Sequence, residues 1–309
     1  MKVLHSIAEL SQITAPIVLA FGVFDGVHLG HQEVIKRAQL YAKSQGAEMV
    51  LFTFSPHPMR VLRPEYSPRL LCTLKHELLI LERMAVGTVL VCPFDKNMAD
   101  TPADSFIQQI AQKCHRLAAI FVGESWRFGR GREGDMHMLQ LLGKQQDFEA
   151  FGIAPVTLNG QPVSSTAVRQ AIETGDFDLA HDLLGRPYTV LGDVVQGKQL
   201  GRTLGFPTAN LDVHNEQLPP AGVYAVRAKL EQTWHPGVAN LGLRPTVNSA
   251  AGGLSLEVHL LDYNGNLYGK QLEVRFIQHL RSEKKFAGLQ ELRAQIVQDT
   301  ALARALLSS

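Results

Sequence analysis

Through the first 185 or so residues, short continuous apolar runs alternate with segments of helical periodicity, and few folds accommodate that alternation. The runs are APIVLAFGVF, AEMVLFTF, VGTVLVCPF and LAAIFVG. Between them lie GHQEVIKRAQLYAK, LKHELLILERM and ADSFIQQIAQKC, whose apolar residues recur every three or four positions. A strand apolar on both sides is buried on both faces, so the pattern predicts a parallel sheet covered by helices, an α/β domain of Rossmann-like type. Such sheets bind ligands beyond the carboxyl ends of their strands, and the turns after the runs are where chemistry is expected.

Beyond LLGRPY the texture changes. TVLGDVV, GVYAVRAKL, LSLEVHLLD and YGKQLEVRFI are separated by turn-rich pieces such as NGN and PPAG, which predicts antiparallel strands in a small closed barrel. Alternation in LSLEVHLLD puts Leu254, Leu256, Val258 and Leu260 on one face and Ser255, Glu257, His259 and Leu261 on the other. The last segment, GLQELRAQIVQDTALARALL, is expected to be an amphipathic helix laying Leu289, Leu292, Ile296 and Val297 against the barrel. A length of 309 residues suits two such domains, 1–185 and 186–309, with the boundary near Gly185.

Composition limits the partners. Charged residues make up 19% and the formal net charge is +1, so no global field attracts polyanions. Interleaved basic and aromatic residues are also missing, and a nucleic-acid-binding barrel is disfavoured. ITAPIVLAFGVF is too short to span a bilayer and follows Glu9 rather than a basic stretch, so no membrane partner is expected. Cys72, Cys92 and Cys114 are odd in number without CxxC spacing, the usage of reduced thiols in a cytoplasmic protein. The expected partners are therefore small molecules, with any phosphate recognition local.

FGVFDGVHLGHQ runs from a buried strand through a glycine-punctuated turn into a helix, with His28 and His31 at the helix start. Gly22 and Gly30 let the backbone approach a ligand, Asp25 lies in the same turn, and a helix N-terminus offers free amides to phosphate. Two imidazoles there can stabilise charge growing on a departing pyrophosphate. The plainer alternative is a turn with two capping histidines. SSTAVR opens another helix with Ser164, Ser165 and Thr166, and Arg169 follows within one turn to pair with an anion; an ordinary cap with a surface arginine is the alternative. Of Arg127, Arg130 and Arg132, Arg127 lies closest to the strand end IFVG. GKQLGRTLGFPTANL brings Gly197, Gly201 and Arg202 together with Thr208 and Asn210, whose oxygens suit magnesium beside phosphate. It is not a Walker P-loop, and locally it also reads as a glycine-rich hairpin stopped by proline. Glu257 and Asp262 are the carboxylates near this second region, Asp262 at a strand end where turn formation explains it.

GVFDGVHLGHQ, the TFSPHP after the second run, RFGRGREGD at 127–135, SSTAVRQAI at 164–172 and everything from LLGRPY onward together resemble the bacterial bifunctional riboflavin kinase/FAD synthetase family. The resemblance implies an HxGH nucleotidyltransferase domain that joins AMP from ATP to FMN, followed by a barrel that phosphorylates riboflavin, with ATP and Mg2+ in both steps and FAD as the final product. His28 and His31 would hold the ATP phosphates, with Ser164, Ser165, Thr166 and Arg169 as a second phosphate-binding element. PTAN would put Thr208 and Asn210 on magnesium, and Glu257 would be the catalytic base. Arg244, Arg281, GVANLG and the last helix would lie on the phosphate or flavin side. The chemistry agrees: FMN attacks with an ionised phosphate, whereas the ribityl hydroxyl needs a proton acceptor. One departure concerns Ser125 and Trp126, which follow Glu124 where many members carry Asp or Asn and then an aromatic before RFG. Two other readings compete: an adenylyl- or cytidylyltransferase for another phosphorylated metabolite, and a non-catalytic flavin or nucleotide sensor, which would not need His28, His31 and Glu257.

Overall fold

A computed structural model describes residues 1–197, 201, 204–243 and 254–308. The chain divides into two compact units, Met1–Arg69 with Leu74–Ser165, and Leu70–Thr73 with Thr166–Ser309.

The first unit is a parallel sheet of β1 (Lys2–Leu4), β2 (Ile17–Phe21), β3 (Glu48–Ser55), β4 (Thr88–Pro93), β5 (Leu117–Gly123) and β6 (Glu149–Ile153), in the order β1-β4-β3-β2-β5-β6. Helices α1 (Leu29–Ser44), α2 (Pro58–Leu62), α3 (Leu74–Arg83), α4 (Lys96–Ala99), α5 (Ala103–Lys113) and α6 (Met136–Gln146) connect the strands. A two-stranded hairpin, β7 (Thr157–Leu158) with β8 (Gln161–Pro162), follows. Alternate residues of β2 feed two separate cores: Leu19 and Phe21 join Phe52, Phe106 and Ile120, while Val18 and Ala20 join Ile35, Leu51 and Phe121. Double-sided burial is the reason the run is apolar throughout. The four predicted runs are all strands. β1 and β6 were not anticipated, because as edge strands they lack that composition. Strand order reverses about β2, flanked by β3 and β5, which makes the end of β2 the topological switch point.

The second unit takes in α7 (Ser165–Thr174) from its second residue and α8 (Phe177–Leu184), which stops at Gly185 in the left-handed conformation, φ 65°. A closed antiparallel barrel follows, built from β9 (Thr189–Val195), β10 (Ala209–Val213), β11 (Gly222–Leu230), β12 (Thr233–Leu243), β13 (Leu254–Leu260) and β14 (Gln271–Arg281), in the circular order β10-β13-β12-β11-β14-β9. Phe177 of α8 stacks on Phe276 at 5.7 Å and meets the edge of Tyr224. The short stretch Leu70–Thr73 is bound into this unit through its backbone. The Leu70 carbonyl accepts from the amides of Glu216 and Gln217 at 3.1 and 2.9 Å, and the Leu71 carbonyl accepts from the Asn215 side chain and lies 3.2 Å from the Tyr188 hydroxyl. All three cysteines are buried thiols.

The terminal helix α9 (Leu289–Leu307) is present, but its inward stripe differs from the expected one. Leu289 and Val297 are 57% and 50% exposed, whereas Ala303 and Leu307 pack with Ala225 of β11 and Val238 of β12. The inward positions are Leu292, Ile296, Asp299, Ala303 and Leu307, spaced three or four apart. Val297 falls about a hundred degrees round the helix from Ile296, and Leu289 stands at the open first turn.

Candidate active sites

At the end of β2 the chain turns sharply through Gly26 and Val27, both left-handed at φ 79° and 42°. A buried β-branched residue rarely adopts that conformation, so the turn is held under strain where it delivers His28 to the start of α1. His28 caps that helix, its Nδ1 accepting from the His31 amide at 3.4 Å, and the two imidazoles stack with centroids 3.7 Å apart. A Cβ on Gly30 would come within 3.1 Å of the His28 ring, which is why glycine stands there. The Ser165 hydroxyl donates to the Asp25 carbonyl at 3.0 Å, so the FDG turn and the SST segment meet within one unit. Gly22, Asp25, His28, Gly30, His31, Ser164 and Ser165 thus gather at the switch point, beside the free amides and positive end of α1. Thr166 and Arg169 follow in α7 as part of the second unit. Arg127 pairs with Asp135 at 2.8 Å on the surface. Ser125 is exposed, and Trp126 stacks on Phe128 at 4.5 Å.

Beneath the turn is a feature the sequence did not suggest. Asp25 and Glu77 of α3 are both buried, 4% and 8% exposed, and among the described residues Oε1 of Glu77 has no hydrogen-bond partner. Burial, reinforced by the nearby Asp25 charge and only partly offset by a hydrogen bond from Thr53, pushes the Glu77 carboxyl up to about 8. The available signal was the position of Glu77 on the apolar stripe of its helix, with Leu74 and Leu81.

The second constellation lies across the barrel strands. Register places Asn210 of β10 opposite Glu257 of β13, and Glu257 opposite Asn240 of β12. The Thr208 hydroxyl lies 3.5 Å from Oε2 of Glu257, and His259 contacts the Pro207 carbonyl at 2.8 Å. These side chains share the face opposite buried Leu256 and Val258, and they line a cavity of about 640 Å³. One part of its wall is polar, from Thr208, Asn210, Asn240 and Glu257; another is apolar, from Val223, Val238, Phe286, Leu292 and Ile296. Gly197 and Gly201 also line it: a Cβ on Gly197 would run into the Asn210 amide, and one on Gly201 into the Phe206 carbonyl. Arg202 and Arg244 lie outside the described residues.

The neighbouring charged groups have other tasks. Asp262 is a left-handed turn residue, φ 59°, paired with Arg304, whose hydrogen bonds hold its carboxyl below the usual range. Arg281 spends its guanidinium on buried Asp299, with Nε at 3.0 Å and Nη2 at 2.8 Å. Thr208, Asn210 and Glu257 form a set of hard oxygen donors with a single carboxylate, and the space kept open by Gly197 lies beside it. That donor set fits a magnesium ion completed by phosphate oxygens and water.

Residues 10–167 match the family model described as FAD synthetase, and residues 184–307 match that described as riboflavin kinase. A bifunctional riboflavin kinase/FMN adenylyltransferase of Haemophilus influenzae is 36% identical over the whole of both chains. One of Escherichia coli K12 is 40% identical over 98% of this chain and 97% of its own. A solved Streptococcus pneumoniae structure titled as a macrolide-efflux protein superposes with a TM-score of 0.84 at 27% identity, covering 98% of each chain. Among the described residues here, no helix is long and apolar enough to cross a membrane. With both family models matched in one chain and relatives aligned from end to end, the protein belongs to the family of bifunctional riboflavin kinases/FMN adenylyltransferases.

Proposed function

We propose that the chain phosphorylates riboflavin with ATP in the barrel cavity, then transfers AMP from ATP to FMN at the HxGH turn, releasing FAD and pyrophosphate. The observation that carries the kinase half is the Glu257 carboxylate, held between Asn210 and Asn240 by strand register in a cavity that is polar on one side and apolar on the other. Glu257 accepts the proton of the ribityl 5′-hydroxyl as that oxygen attacks the γ-phosphorus of ATP and the bond to the β,γ-bridging oxygen breaks, releasing ADP. Thr208 and Asn210 present oxygens toward the phosphates and would hold Mg2+ there. When bound, magnesium neutralises charge on the phosphate oxygens. Gly197 and Gly201 keep the backbone low enough for a nucleotide to approach, with Arg202 and Arg244 as further phosphate contacts.

In the other unit no protein nucleophile is required, because the FMN phosphate is already an anion. His28 and His31 donate to the triphosphate and to the leaving pyrophosphate, the α1 amides add their partial charge, and Ser164 and Ser165 give a second set of donors. Arg127 completes the anion site by exchanging Asp135 for phosphate. A nucleotidyltransferase for another metabolite would leave the Glu257 cavity without a task. Residues 1–185 and 186–309 are the two functional domains of this reading. Three buried thiols support a cytoplasmic setting.

Incubating purified protein with riboflavin, ATP and magnesium and separating the products tests the proposal. FMN is expected first and FAD after it, with both lost on chelation of the metal. Accumulation of FMN alone would remove the adenylyltransfer half and point to Ser125; no turnover of riboflavin would overturn the kinase half.

A further inference from the structure

The register of the barrel places in the cavity wall, beside Glu257, a group that the kinase chemistry has not used. Across four adjacent strands a single row runs Asn210, Glu257, Asn240, Val223. Adjacent strands are spaced by about 4.8 Å, so Asn240 stands one step from the carboxylate on the side away from Asn210 and Thr208. On its other side the wall becomes apolar, with Val223 and then Leu292 and Ile296 of α9. The Asn240 side chain is exposed to the cavity, and among the described residues it makes no hydrogen bond. A carboxamide offers two donors and an acceptor, and here it lines the cavity between a proton acceptor and an apolar slot.

We infer that Asn240 is a specificity residue that hydrogen-bonds the internal hydroxyls of a polyol chain, the part of the substrate between the hydroxyl being phosphorylated and the apolar ring system. The inference rests on the kinase reading of the cavity. A substrate whose reacting end lies at Glu257 and whose apolar end lies at α9 must draw its linker past Asn240. A hydrocarbon linker there would leave the amide unpaired; a hydroxylated one satisfies it, and hydrogen-bonding sites reject analogues that lack the matching group. Gly242, two residues on along the same face of β12, lacks a side chain, and the Glu283 carboxylate occupies the space its Cβ would take, so the polar track continues beyond Asn240.

The test compares riboflavin with a flavin bearing an unbranched 5-hydroxypentyl chain, which keeps the reacting hydroxyl and lacks the internal ones. The wild-type kinase is expected to favour riboflavin in kcat/KM by roughly tenfold or more, and Asn240→Ala to cut that preference by about five- to tenfold, mainly through KM for riboflavin, the worth of about one neutral hydrogen bond. Asn240→Ser, which keeps a hydroxyl, is expected to fall between the two, and it decides the matter if the alanine variant melts early. Equal losses on both flavins, or no loss on either, would overturn the assignment. Glu257→Gln separates this from failure of the kinase reading, because loss of the base slows both flavins alike. A wild-type protein inert toward riboflavin would sink that reading and the Asn240 assignment with it.

Discussion

Glu77 is a carboxylic acid on the buried face of its helix, beside His76, Ile80 and Leu81, and its environment keeps it protonated at neutral pH. Its value rises on folding, from an ordinary 4.5 to about 8, so the folded state binds a proton that the unfolded state has released. Its contribution to stability is therefore full below about pH 4.5 and is lost as pH climbs to about 8. Glu77→Gln keeps the shape and removes the titration. The variant is expected to melt at a higher temperature than wild type, by a margin that widens from pH 5 to pH 8; thermal melts followed by circular dichroism across that range check this, and a margin independent of pH would show that Glu77 is not a neutral buried acid. The sequence made His28, His31, Thr208 and Asn210 visible as candidate site residues because each lies in a short ordered motif, and Glu257 because it stands on the face of an alternating strand opposite the leucines. Glu77 and Asn240 were harder to see, since their importance comes from which strand or helix they meet, and only the assembled register supplies that.

Among elements, the strands that were legible are those buried on both faces or alternating cleanly. β12 was missed because TWHPGVANLGL contains a proline and two glycines, signals of interruption. In the barrel they are tolerated. Pairing with β13 ends at Gly237 opposite Leu260, so Pro236 lies beyond that ladder, and Gly242 makes room for Glu283. The domain boundary at Gly185 can be examined in the same terms. A fragment of residues 186–309 keeps the barrel and the whole Glu257 cavity but loses Phe177 of α8 and the Leu70–Thr73 backbone, leaving Asn215 and Tyr188 without their partners at Leu71. It is expected to form FMN from riboflavin yet to melt well below the same unit in the full chain, while 166–309, which regains α8, recovers part of the loss. Comparative thermal melts and FMN formation check the order; an inert, unfolded 186–309 beside an active 166–309 would move the working boundary to the start of α7.

At the level of the whole molecule, the proposed reading gives the two reactions separate sites, linked chemically by FMN alone. His31→Ala is expected to lower FAD formation by about 10²–10³, the cost of one preorganised donor, and Glu257→Gln to lower FMN formation by about 10²–10⁴. Neither variant alone should carry riboflavin through to FAD at a useful rate, but an equimolar mixture should, because released FMN reaches the intact site of the other chain. Failure of the mixture, with both single defects confirmed, would mean that FMN does not leave the chain that makes it. The three buried cysteines add a property of a different kind. Burial pushes the thiols of Cys92 and Cys114 up to about 12, and Cys72 is enclosed in the short stretch bound to the barrel unit. Closed in this way, they are poor targets for alkylating agents and oxidants as long as the fold holds. Once it loosens, modification at Cys72 marks opening of one unit and modification at Cys92 or Cys114 opening of the other, so the chain carries its own chemical record of which half gave way first.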